Sequence, residues 1–346
     1  MIMKGPHAGP IVIRFAFASL FFLLLSHSFL LGAQLGDLPP MPQITVTETQ
    51  EGLTAKIGHE NLRVTVCTDS VIHVVAGPAD APANNADQPW MLPAAEACPG
   101  ATFKFAQDVN NASITNDRLK VSLSLRRGSL SYTTAAGDRL LEENDAVPRT
   151  YEPDVVNGLQ TYHVADRFSP DQTEAYYGLG QHQSGMFNYR GGTVELAQNN
   201  TDVAIPLLLS SKGYALMWNT ASATEVDNRF PLTLKLTSLA GSAVDYFFVY
   251  GPEFDDIIHH YRSMTGHTPM LPKWGYGLFQ SKDRYKSQSE ILDIAARYRR
   301  DHIPLDAIVQ DCATRMRRIL HRHGKVPFND SQRNQHRARV TQRGGR

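Results

Sequence analysis

Carboxylates and thiols are the side chains here with the most chemistry to offer, and their spacing narrows what that chemistry is. Hydrolysis by a pair of acids needs two carboxylates held a fixed distance apart. Glu142-Glu143 and Asp255-Asp256 are adjacent in sequence, while Asp145 and Asp154 stand singly. Acids in that pattern read as solvated faces, no motif pairs them, and no catalytic residue is assigned among them. The cysteines are Cys67, Cys98 and Cys312. Cys67 and Cys98 are either a bridge or two buried thiols, and Cys312 opens an irregular carboxyl-terminal stretch. No Cys-x-x-Cys or His-x-x-x-His spacing supplies ligands for a metal, and nothing points to a cofactor.

The elements that must position any site come from hydrophobic patterning. The 346 residues are 42% apolar with zero net charge, enough to bury the cores of two ordinary domains. From about residue 44 to 250, short alternating apolar runs recur, for example 44–47, 62–67, 71–75, 120–125, 130–133, 206–210, 214–218, 232–236 and 243–250. Glu51-Gly52, Arg127-Gly128, Gly137-Asp138, Lys212-Gly213 and Ala240-Gly241 punctuate them. Many strands at this spacing predict a large antiparallel β-sandwich, and so a mainly β fold.

The texture changes after Gly251-Pro252. Apolar residues at 254, 257, 258 and 261 predict a helix, and the Pro-rich 267–272 predicts a domain boundary. One α/β unit follows: a buried strand over 274–280, a helix over 287–300 and a strand over 306–310. Ser287 with Glu290 has the spacing of a capping box. Residues 291, 294, 295 and 298 form the helix's apolar face, and Arg297, Arg299 and Arg300 complement its dipole. A strand–helix–strand unit implies parallel pairing within a larger sheet or barrel.

The two ends of the chain carry different signals. Lys4, Arg14, the apolar run 15–25 and Leu31-Gly32-Ala33 predict a cleaved secretory signal over 1–33, against the alternative of an uncleaved anchor. The mature product is then expected outside the cytoplasm and off the membrane, where a disulfide is permitted. Residues 312–346 are rich in Arg; positions 313–346 alone hold nine Arg, one Lys and one Asp and show no period of 2 or 3.6. A basic arm for a polyanion is one reading of that stretch. The reading adopted is translation in a wrong frame, with disorder and no nucleic-acid partner expected.

Two stretches resemble glycoside hydrolase family 31. Tyr176-Tyr177-Gly178-Leu179-Gly180-Gln181, with Asn188-Tyr189-Arg190-Gly191, resembles a segment of that family's amino-terminal sandwich. Leu271-Pro272-Lys273-Trp274-Gly275-Tyr276-Gly277-Leu278-Phe279-Gln280-Ser281, with Arg284-Tyr285 and the run 303–311, resembles the opening of its catalytic barrel. The resemblance implies a galactose mutarotase-like sandwich over 34–266 and the first strand–helix–strand of an incomplete (β/α)8 barrel over 267–311. It also implies an oligosaccharide or α-glycoside substrate of α-xylosidase or α-glucosidase type.

Site residues follow from the same resemblance. Asp311, at the carboxyl end of a barrel strand, is expected to accept hydrogen bonds from sugar hydroxyls. Gln181, Tyr189 and Phe279 are expected at the substrate as well. The stretch 181–201 is expected to be the loop that reaches over the barrel mouth, with Phe187 or Tyr189 stacking on a sugar face. Retaining hydrolysis needs two carboxylates about 5–5.5 Å apart, which the family draws from later strands. After Asp311 only Asp330 remains. The expectation is therefore a fragment interrupted after Asp311 and inactive by itself, with a non-catalytic carbohydrate-binding sandwich as the alternative.

Overall fold

The computed structural model describes residues 42–81, 92, 98–199 and 201–310. The apolar start, Asp311, Cys312 and the Arg-rich stretch lie outside the described residues. The chain divides into two units, Met1–Gly266 and His267–Arg346.

Three antiparallel sheets build the first unit. One has eight strands. It begins with the meander β1 (Ile44–Glu48), β2 (Gly52–Ile57), β3 (Glu60–Val66) and β4 (Val71–Pro78). A second sheet is the five-stranded meander β5 (Lys104–Gln107), β6 (Asn111–Thr115), β7 (Leu119–Ser124), β8 (Leu130–Thr134) and β9 (Arg139–Glu142). The third contains β10 (Arg149–Val156), β11 (Leu159–Phe168), β13 (Thr193–Leu196), β16 (Thr224–Asp227) and β17 (Leu234–Gly241), ordered β10-β11-β17-β16-β13. The remaining strands complete the large sheet: β12 (Tyr176–Gln181), β14 (Val203–Ser210), β15 (Tyr214–Trp218) and β18 (Val244–Tyr250), ordered β4-β18-β15-β14-β12.

One hydrophobic cluster joins all three sheets. It holds Val64, Val74, Leu216, Trp218, Tyr246 and Phe248 of the large sheet, Val121 and Tyr132 of the second, and Val164, Phe168 and Leu236 of the third. Alternation along each strand sends these residues to one face. The opposite face of the large sheet is also covered, which is why β15 is buried at every position. Val71, Ala215, Met217, Phe247 and Val249 pack there with Ile257 and Met264 of α1 (Phe254–Thr265). Asp255 and Asp256 in its first turn and Arg262 in its last suit the helix dipole. The expected stripe is rotated, however. Phe254 and Ile258 are exposed, because the line through Ile257, Tyr261 and Met264 meets the sheet. Cys67 and Cys98 form a disulfide with Cα atoms 4.1 Å apart.

The second unit has β19 (Phe279–Lys282), α2 (Gln288–Arg300) and β20 (Ala307–Gln310), with β19 and β20 parallel. Three further sequence expectations need correction, two here and one in the first unit. The first strand does not start at 274: residues Lys273–Tyr276 form a 3₁₀ turn, and Trp274 is exposed. Pro272 and the glycines at 275 and 277 favour a turn over ladder pairing. The capping box is also half made. Glu290 N–H donates to Ser287 Oγ at 3.2 Å, but the Glu290 carboxylate accepts from the Lys286 amide and Lys282 Nζ, each at 2.7 Å. The strand expected over 232–236 begins at Leu234, behind a turn in which Thr233 N–H donates to Phe230 O.

Candidate functional site

The Tyr-Gly-Leu-Gly-Gln segment is a strand with a kink. Register with β14 shifts between Gly178 and Gly180. Gly178, Leu179 and Gly180 all have positive φ, +88°, +63° and +97°. A Cβ on Gly178 or Gly180 would strike the carbonyl oxygen of Leu207 or Val203, so no other residue fits. Leu179, which is not glycine, holds the same left-handed backbone because its side chain is 1% exposed in the core. The bulge re-aims the chain and delivers Gln181, exposed, to the end of the strand.

The loop that follows is pinned from below. Asn188 Oδ1 accepts the amides of Tyr176 and Arg190, both at 3.0 Å. The Arg190 guanidinium donates to the carbonyls of Asp171, Glu174 and Pro231 at 3.0, 2.8 and 3.1 Å. Glu174, with no exposed surface, accepts Ser210 Oγ at 2.5 Å and the Tyr214 hydroxyl. Burial, then the charges of Tyr176 and Glu174, push the Tyr214 hydroxyl well above the usual tyrosine range.

The Asn-Tyr-Arg-Gly segment is therefore a fastening. Tyr189 is 8% exposed, belongs to the core cluster, and donates its amide to Tyr176 O at 2.9 Å. The aromatic that reaches solvent from this loop is Phe187, 85% exposed. Its ring lies 5.3 Å from Tyr177, which meets Phe254 at 5.7 Å. Phe187 was visible in the sequence. Tyr177 and Phe254 as its backing were not, since they are far apart in the chain.

In the second unit, the start of the first barrel strand is set by an acid. Asp306 Oδ2 accepts the Leu278 amide at 3.0 Å, and the Asp306 amide donates to Leu278 O at 3.0 Å. The Asp306 carboxylate fills the space a side chain at 277 would need, so Gly277 is required. Phe279, partly exposed and 6.2 Å from Trp274, opens β19 and does not close it. The carboxyl end of the pair is formed by Lys282 and Gln310, which are register partners. Asp311, next in sequence, lies outside the described residues.

Around that end runs a network that sequence reasoning missed. Tyr298 donates its hydroxyl to Gln280 Oε1 at 2.5 Å, and Gln280 Nε2 donates to Ser281 O at 3.0 Å and Tyr285 OH at 3.3 Å. Gln310 Nε2 donates to Tyr285 O at 3.1 Å. These bonds tie both strands and α2 to the buried Tyr285. Hydrogen bonding and the charge of Glu290 raise the pKa of Lys282, and those of Lys282 lower that of Glu290. Two glutamines, one on each of the paired strands, were the available signal.

Comparison with known proteins gives these two units one common origin. Residues 61–227 match the glycosyl hydrolase 31 N-terminal galactose mutarotase-like domain, and residues 268–341 match the glycosyl hydrolases family 31 TIM-barrel domain. The second match runs into the Arg-rich stretch. An alpha-xylosidase of Saccharolobus solfataricus is 38% identical over 204 residues, 55% of this chain and 28% of that one. The crystal structure of a GH31 alpha-xylosidase from Xanthomonas citri aligns with a TM-score of 0.65 at 23% identity, over 78% of this chain and 45% of that one. A GH31 alpha-xylosidase from a soil metagenome, complexed with xylose, gives 0.63 at 25% identity, over 77% and 41%. In each case this chain spans less than half of the other protein. With both of its units matched to consecutive parts of one architecture, the chain belongs to glycoside hydrolase family 31.

Proposed function

We propose that this chain is the sandwich and barrel-opening part of an exported retaining α-glycosidase of the xylosidase or glucosidase type. One observation carries the proposal: β19 and β20 pair in parallel as the first two strands of a barrel would, and Asp311 follows β20 in the chain, where the family resemblance puts a sugar-binding aspartate. The 38% identity to a protein named alpha-xylosidase supports the substrate class. The Cys67–Cys98 disulfide and the apolar start support export.

On the family resemblance, Gln181 of the first unit and Asp311 and Phe279 of the second are each assigned to the sugar, Phe279 from the opening of β19. Phe187 takes the stacking role that Tyr189, packed in the core, does not offer. Hydrolysis by this chain alone is not expected. Of the five described acids of the second unit, Asp306 holds the Leu278 amide, Glu290 holds Lys282 and Lys286, and Asp301 pairs with Arg297, and no motif pairs the other two, Asp283 and Asp293. The purified chain should leave aryl α-xylosides and α-glucosides intact; release of the aryl group above a denatured-protein control would contradict this. The exposed Phe187 backed by Tyr177 favours a second reading, a sandwich that binds carbohydrate without chemistry. Retention on immobilised xylo- or gluco-oligosaccharides that is lost in Phe187→Ala would support it, and no retention would count against it.

A further inference from the structure

The core of the sandwich holds more acid than base. Glu60, Glu143 and Asp166 gather near one guanidinium, that of Arg149. Arg149 donates to Glu60 Oε1 through Nε at 3.0 Å and Nη2 at 2.8 Å, to Gly128 O through Nη2 at 2.6 Å, and to Glu143 Oε2 through Nη1. Glu143 also accepts the Leu130 amide at 2.7 Å and the Tyr246 hydroxyl at 3.3 Å. None of these bonds reaches Asp166.

Asp166 sits on β11 with no exposed surface, and neither carboxyl oxygen has a hydrogen-bond partner among the described residues. The groups whose charge or hydrogen bonding acts on it are Glu143 beyond β9, Arg149 and Tyr151 of β10, Tyr132 of β8, Tyr246 of β18 and the Arg167 amide of β11 itself. The Tyr132 and Tyr246 hydroxyls bond to each other at 2.8 Å. An ionised carboxylate only accepts, so beside Glu143 it would be a buried charge whose nearby donor, the Arg167 amide, is already given to Pro148 O at 2.8 Å. A proton on Asp166 converts one acceptor into the missing donor.

We propose that Asp166 is a carboxylic acid in the folded protein at neutral pH, its proton donated toward Glu143, so that the sandwich tightens in acid and loosens in alkali. Burial first, and then the negative charge of Glu143, hold the Asp166 carboxyl well above the ordinary carboxylate range, outweighing the pull of Arg149. Folding at neutral pH then takes up one proton. A carboxyl whose folded pKa exceeds its unfolded value gives its full stabilisation below the unfolded value, 3.8. That stabilisation declines as pH rises toward the folded pKa.

The test compares the full chain with Asp166→Asn, whose amide can donate to Glu143 without titrating. Denaturant unfolding is followed from about pH 5 to about pH 8. Relative to the variant, the wild-type folding constant should fall by up to about tenfold per pH unit across that window. Parallel profiles would overturn the proposal. Infrared spectra supply a second reading that does not depend on the variant folding. The wild type at neutral pH should show the C=O stretch of a protonated carboxylic acid, and its absence overturns the proposal. So does its persistence in folded Asp166→Asn.

Discussion

Phe187 and Tyr189 are two residues apart, yet their surroundings assign them opposite work. Tyr189 is packed in the core, and truncation to Ala should cost about 3–5 kcal/mol in unfolding free energy, as for other buried aromatics. Phe187 is exposed, so Phe187→Ala should change stability by less than about 0.5 kcal/mol. Denaturant midpoints of the two variants decide the point; equal losses would mean the loop is packed differently. Gly180 is a harder constraint, because a Cβ there meets the Val203 carbonyl and the adjoining backbone at a φ of +97°. Gly180→Ala should destabilise by more than the roughly 1 kcal/mol typical of point substitutions in general, read in the same experiment.

Most elements were legible in the sequence because their patterns are local. The runs at 44–47, 71–75 and 214–218 became β1, β4 and β15, since alternation and Gly-marked turns act within a few residues. What escaped depends on partners distant in the chain. The rotation of α1 is set by the outer face of β15 and β18, and the late start of β19 by Asp306, 28 positions beyond the amide it holds. The motif glycines were recognisable as a signature, but their reason, a bulge against β14, needed the sheet. The cysteine pair was open on sequence alone; in the fold the segment of Cys98 lies against that of Cys67, where the Gly100 amide donates to Cys67 O at 3.0 Å. Reduction of Cys67–Cys98 should lower the stability of the first unit by about 2–4 kcal/mol, measured as a fall in denaturant midpoint with and without reductant. An unchanged midpoint would mean the bridge constrains nothing in the unfolded chain.

At the scale of the whole molecule, the family is carried by both units, while the chemistry belongs to residues that the described fold does not bring together. A sandwich of three sheets with a continuous core has what it needs to hold a loop and a strand end in place. Among the described residues, the parallel pair with one helix presents two strand edges of the kind that neighbouring strands cover in a barrel. The proposal to be tested is that the coding sequence specifies a retaining α-glycosidase whose barrel is interrupted after Asp311. Sequencing the coding DNA from the codon of Leu305 onward, with translation in all frames, tests it most directly. The account predicts another frame that resumes alternating strands and helices and supplies two further strand-end aspartates. If the present frame is confirmed and no other frame resumes the barrel, the interrupted-glycosidase account is contradicted, and carbohydrate binding by the sandwich is the activity left to assign.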